Sequence, residues 1–212
     1  MSDMTARNDL QVIACVMFFL FMFYFIQRKK YIIAVICAIA FANYVAINLR
    51  MGVIYESIAP PSPSTQPPVV QTDYIPRYVD WSCTTPLLVL TILMKSNIKD
   101  PAVYVLILFM DILMVYTGYL ASVADTDQKR YYLFTASMVF YLLLFYQLFQ
   151  YCYKAHPGLC LFLLVAWMIY PLVWILHRTP TTSPAIDNYT YDGIIAVIDV
   201  FSKIGYGFLL PV

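Results

Sequence analysis

The stretch 194–210, IIAVIDVFSKIGYGFLL, places an acid and a base, Asp199 and Lys203, four residues apart in otherwise apolar sequence. On a helix that spacing puts both side chains on one face. A charge at the centre of a bilayer costs at least about 2.5–3.5 kcal/mol on insertion scales, so a pair kept there needs a use. Two uses are open: a buried ion pair that only ties helices together, or a lysine kept available for covalent chemistry with a carboxylate beside it. Two further acids, Asp80 and Asp111, also lie well inside apolar segments, so three acids face a single base. An ionisable residue at membrane depth marks a functional site by default.

A second group of polar residues has its own spacing. The segment 77–94 reads RYVDWSCTTPLLVLTILM. Arg77, Asp80 and Thr84 follow an i, i+3, i+7 pattern and share a helical stripe. Thr91 falls about 20° off that stripe and about 16 Å beyond Asp80 along the axis. The polar line is interrupted by Leu87 and Leu88. A helix–helix interface glued by Ser and Thr would account for the threonines, but not for Asp80.

The elements that must position these residues follow from composition. The chain is 62% hydrophobic and 12% charged over 212 residues, against about 45–50% and 25% in soluble domains. Seven stretches are long enough to cross a bilayer: about 9–26, 31–49, 77–94, 102–123, 131–153, 158–176 and 192–210. The expected fold is an all-α membrane protein, a seven-transmembrane helix bundle forming a single domain over 1–212, with membrane lipid as its surroundings. The first stretch is too long for a signal-peptide core, and its charges, Arg28, Lys29 and Lys30, follow it, so it reads as a retained helix. Arg28, Lys29, Lys30, Lys95, Lys99 and Lys154 crowd into three very short connections. The positive-inside rule then puts the N-terminus outside and the C-terminus in the cytoplasm.

The long connection 52–76 holds six prolines and no apolar period, and reads as an extended, proline-rich extracellular loop. Pro86 and Pro171 fall inside the third and sixth helices, where they should kink them. Asn188-Tyr189-Thr190 matches a glycosylation sequon, and His156 and His177 sit at helix ends, where they are expected to be solvated. The five cysteines form no CxxC pair, so neither a disulfide framework nor a metal site is expected. Net charge is +1, which argues against nucleic acid as a partner.

Taken together, RYVDW-x-x-TTPLL in the third helix and D-x-x-x-K in the seventh resemble the microbial (type 1) rhodopsins. So do WMIYPLVW in the sixth helix, AIAFANY in the second and D-x-x-M-x-x-x-G in the fourth. The match runs through all seven helices in order, and the short chain and lean loops look most like the giant-virus members. The resemblance implies all-trans retinal on Lys203 through a Schiff base. It makes Asp80 and Asp199 the counter-charges, with Arg77 preventing an unscreened pair of acids. Tyr44 and Tyr170 would donate to Asp199, and Trp81, Trp167 and Trp174, with Pro171, would wall the polyene. Thr85 would bond Asp111 across helices, while Leu88, Met114, Gly118 and Ser202 would shape the pocket and its colour.

The same resemblance frames the transport question. Outward proton pumps of this family carry a carboxylate where this chain has Thr91, so the set Asp80, Thr84, Thr91 keeps the primary acceptor and loses the internal donor. The first expectation is a light-gated cation channel with a hydrated path past Arg77, Asp80, Asp199 and Asn43. The alternatives are a light-driven outward proton pump and a sensory photoreceptor acting through another protein. Transported cations or protons, and a homo-oligomer of the kind family members form, are the implied partners. No nucleophile–base set appears outside this pocket, so an enzyme is not expected.

Overall fold

The structure, a computed structural model, describes residues 8–58, 69–178 and 185–211. Seven principal helices run α1 (Asp9–Gln27), α2 (Tyr31–Asn48), α3 (Ile75–Lys95), α4 (Pro101–Ser122), α5 (Asp127–Cys152), α6 (Pro157–Arg178) and α7 (Asn188–Val200). The last continues through a π-helical turn, Phe201–Gly205, into the short α8 (Tyr206–Leu209). Each helix packs on the next, and α7 returns to α1, so the seven close into a ring.

Local sequence sets the helix ends. Asn8, Asp100, Thr126 and Asp187 accept backbone N–H groups at the starts of α1, α4, α5 and α7, relieving amides that a first turn leaves unpaired. Pro76 and Pro101 stand in first turns, where the missing N–H is no loss. At the other end of the chain, Lys30 Nζ donates to the carbonyls of Gly207 and Leu210, which the last turn would otherwise leave open.

The bundle keeps its ionisable membrane-depth residues inside, among an apolar core, and turns an apolar surface outward. Val105, Leu142 and Tyr146 are exposed, whereas Asp80, Asp111, Asp199 and Lys203 are buried. That arrangement suits a lipid surround. On length and apolarity α1, α2, α4, α5 and α6 qualify as spans; α3 and the interrupted α7 carry the polar side chains of the interior.

The connection 52–76 corrects the expectation of an extended loop. Residues Val53–Ile58 (β1) and Val69–Tyr74 (β2) pair antiparallel, with Val53 opposite Tyr74. The proline-rich part, 59–68, lies outside the described residues. Gly52 starts the hairpin at φ +62°, and a Cβ there would meet Pro76 Cδ at 3.1 Å. Hydropathy hid the strands because the buried face of β2 is polar: Gln71 and Asp73 point inward. The seventh helix also begins earlier than expected, at Asn188, and is not uniformly α-helical.

Candidate functional site

Lys203 lies on the π-helical turn, a distortion frequent at functional positions, and its side chain is 1% exposed. Its Nζ donates to Asp80 Oδ2 and to Asp199 Oδ1, each at 2.7 Å. The ring of Phe18 on α1 lies 5.7 Å from the ammonium, close enough for a cation–π contact. The two acids are not equivalent. Asp199 also accepts from Tyr44 Oη at 2.7 Å, Tyr170 Oη at 2.7 Å and Trp81 Nε1 at 3.0 Å. Asp80 has only the lysine, and its buried Oδ1 has no hydrogen-bond partner among the described residues.

Thr84 donates to the Asp80 main-chain carbonyl at 2.8 Å. Thr85 Oγ1 reaches Asp111 Oδ2 at 2.9 Å, joining α3 to α4. Thr91 meets Tyr206 Oη at 2.8 Å. Tyr206 escaped the sequence reading, although it stands three residues after Lys203 and therefore on its helical face.

A cavity opens from Lys203, with about 830 Å3 of free space counted to its mouth. Trp81, Thr85, Leu88, Met114, Gly118, Trp167, Tyr170, Pro171, Trp174 and Ser202 line it. Tyr44 and Asp111 do not; they stand behind Asp199 and Thr85. The remaining wall includes Phe134, Ser137, Met138 and Tyr141 of α5, a helix with no motif to flag it. Trp174 stacks on Phe134, with centroids 4.7 Å apart and planes 5° from parallel. Gly118 faces α5, where a Cβ would meet Ser137 Oγ at 3.4 Å, an ordinary contact.

Arg77 departs from expectation. It does not reach between Asp80 and Asp199, but turns to the hairpin end of the bundle. There its guanidinium binds Asp73 Oδ1 at 2.8 Å and Asp192 Oδ1 at 2.9 Å, beside the rings of Tyr74 and Tyr191. Asp73 on β2 also accepts from Tyr78 Oη at 2.9 Å, and Arg178 approaches to 3.5 Å. Burial alone would raise the Asp73 carboxyl; the two guanidiniums outweigh it and hold the group below its ordinary value.

The hairpin is fastened to the helices by side chains. Asn188 donates to the Val70 carbonyl at 2.8 Å and accepts from Thr72 N at 3.0 Å, while Gln71 donates to the His177 carbonyl. His177 is a second correction. It is fully buried, within 2.9 Å of Asn188 Oδ1, and stacks on Tyr191 at 4.0 Å, because the hairpin covers the helix end that sequence left open. His156 is half-buried beside the Lys95 carbonyl. Asn43 donates to the Ile39 carbonyl of its own helix.

With this geometry in view, comparison with known proteins is informative. Residues 4–211 match the family described as Bacteriorhodopsin-like protein. Cruxrhodopsin-3 of Haloarcula vallismortis is 30% identical over 223 residues, covering 91% of this chain and 84% of the relative. Among solved structures, the thermophilic rhodopsin of Rubrobacter xylanophilus superposes with a TM-score of 0.79 at 24% identity, over 97% of this chain and 94% of that one. A light-driven proton pump from Leptosphaeria maculans gives 0.85 at 22%, over 96% and 93%.

Proposed function

The chain belongs to the bacteriorhodopsin-like family of microbial rhodopsins, and on that premise we propose that it is a retinal-binding photoreceptor that conducts cations across the membrane in light. The residues present fit retinal. A buried primary amine ends a cavity walled by Trp81, Trp167, Tyr170 and Trp174, which suits a long apolar aldehyde condensed onto Lys203 as a Schiff base. When bound, all-trans retinal supplies a light-driven change of shape at the Lys203 nitrogen. Asp80 and Asp199 balance the positive charge there. Asp80, with one oxygen unpartnered, is the group that can take up a proton, while Asp199 is held by Tyr44, Tyr170 and Trp81.

The observation that carries the channel reading is a polar seam between α1, α2 and α7. From Asp199 and Tyr44 it continues to Asn48, whose Nδ2 lies 2.8 Å from the Tyr44 carbonyl and 3.3 Å from the Gln11 carbonyl. Gln11 in turn lies against Asp192. The buried Asn48 Oδ1 has no protein partner among the described residues, so the seam calls for water there. On the opposite side of Lys203, Thr91 and Tyr206 close the way with two hydroxyls. The positive-inside bias puts the hairpin outside and that closure on the cytoplasmic side.

An outward proton pump is the second reading, favoured by the direct contact of Asp80 with Lys203. Photocurrents recorded against voltage under cation gradients separate the two. A channel current reverses near the cation equilibrium potential; a current outward at every voltage overturns the channel.

A further inference from the structure

Arg77 stands three residues before Asp80 on the same buried stripe of α3, within reach of it on a helix, yet its guanidinium is bound elsewhere. One of its two carboxylates, Asp192, belongs to α7. The other, Asp73, belongs to neither α3 nor any other helix: it is carried on β2 and delivered by the hairpin. We propose that Asp73 is the positioning residue for Arg77, so that the docked hairpin keeps a positive charge away from Lys203 and its two acids. This rests on the retinal reading of Lys203.

The geometry is one of competition for a single guanidinium. Around the Lys203 ammonium stand two carboxylates, with Tyr44, Tyr170 and Cys37 as further ionisable groups nearby. Around Arg77 stand Asp73, Asp192, Arg178, Tyr74 and Tyr191. Asp73 is engaged on both oxygens: Tyr74 N and Arg77 on Oδ1, Tyr78 and Arg178 on Oδ2. Asn188 and Gln71 fix the strand that carries it. Removing the Asp73 charge leaves Arg77 one anionic partner on the hairpin side, against two acids around Lys203, one of them Asp80 with an unpartnered oxygen. The guanidinium then turns inward and weakens the negative field at Lys203.

The test is the absorption maximum of the full chain reconstituted with all-trans retinal at fixed pH. Asp73→Asn moves it to longer wavelength, Asp73→Glu restores it, and in an Arg77→Gln background Asp73→Asn adds no shift. A purely structural role lowers thermal stability and leaves the maximum in place. An unmoved maximum in the Asp73→Asn pigment, or an equal shift without Arg77, overturns the proposal. If Asp73→Asn yields no pigment, Asn188→Ala releases the strand without changing a charge; a shift in the same direction supports the proposal and an unmoved maximum overturns it. Failure of the wild-type chain to form a visible band refutes the retinal reading itself, whereas a wild-type band with no Asp73→Asn shift refutes only the positioning.

Discussion

The hydroxyls of Thr91 and Tyr206 meet 2.8 Å apart, on the side of Lys203 away from the hairpin, and tie α3 to α8. Thr91 donates to the Leu88 carbonyl at 2.7 Å, so its oxygen is left to accept from the tyrosine. A carboxylate is missing where a pump would use one, and a neutral pair of hydroxyls fills the place. If they form the closed gate and meet as it closes, Tyr206→Phe removes this hydrogen bond, and the longer contact of the same hydroxyl with the Leu88 carbonyl at 3.3 Å, from the closing barrier as well as from the closed state. That bond is worth about 0.5–1.5 kcal/mol, so the photocurrent after the light is switched off should decay roughly two- to tenfold more slowly. An unchanged decay places the closure elsewhere.

Lys203 is shared by two buried acids, and this predicts an asymmetric mutant pair. Lys203→Ala should give no visible band with retinal and should lower the thermal midpoint, since removing one partner of a buried ion pair destabilises by about 3–5 kcal/mol. Adding Asp80→Asn should recover part of that stability but no pigment. A visible band in Lys203→Ala refutes the attachment site; a double variant no more stable than the single shows that Asp80 is not strained by loss of the lysine.

The cage on Asp199 is separable bond by bond. Tyr44→Phe and Tyr170→Phe each remove a hydrogen bond to a charged acceptor, about 1.5–3 kcal/mol. Both should lower the thermal midpoint. Only Tyr170→Phe also perturbs Ser202, whose Oγ lies 3.0 Å from the Tyr170 hydroxyl, and only Tyr170 lines the cavity. Tyr170→Phe should therefore shift the absorption maximum further. Equal spectra for the two variants would contradict that difference.

Asn188 meets the sequon pattern but is occupied as a structural peg by Val70, Thr72 and His177. Expressed in a glycosylating host, the chain should carry no glycan at this position, and endoglycosidase treatment should leave its mobility unchanged. A mass increase on the peptide containing Asn188 would mean that the hairpin docks otherwise.

Acid should loosen the hairpin through Asp73. Its folded value lies below its unfolded value of about 3.9. The stabilisation is therefore fully present above the unfolded value and is lost as pH falls through the folded one. The thermal midpoint should drop in that acid range for the wild type and less for Asp73→Asn; equal slopes would remove Asp73 from the acid response.

Sequence alone determined what depends on the register of one helix. Lys203 with Asp199, Asp80 with Thr84, and the aromatics around Pro171 are local spacings, and a helix turns local spacing into a shared face whatever surrounds it. Most of the helical bundle was legible for a related reason, because apolar length reports a span in α1, α2, α4, α5 and α6. Tertiary structure decided everything that depends on residues distant in the chain meeting. Arg77 lies one helical turn from Asp80, yet it binds Asp192 of α7 and Asp73, which only the docked hairpin brings to it. Thr91 finds Tyr206, and His177 is buried rather than solvated, through contacts that no period encodes. The strand that makes these choices buries Gln71 and Asp73, so its inward face carries no hydrophobic signal for a sequence reading to find.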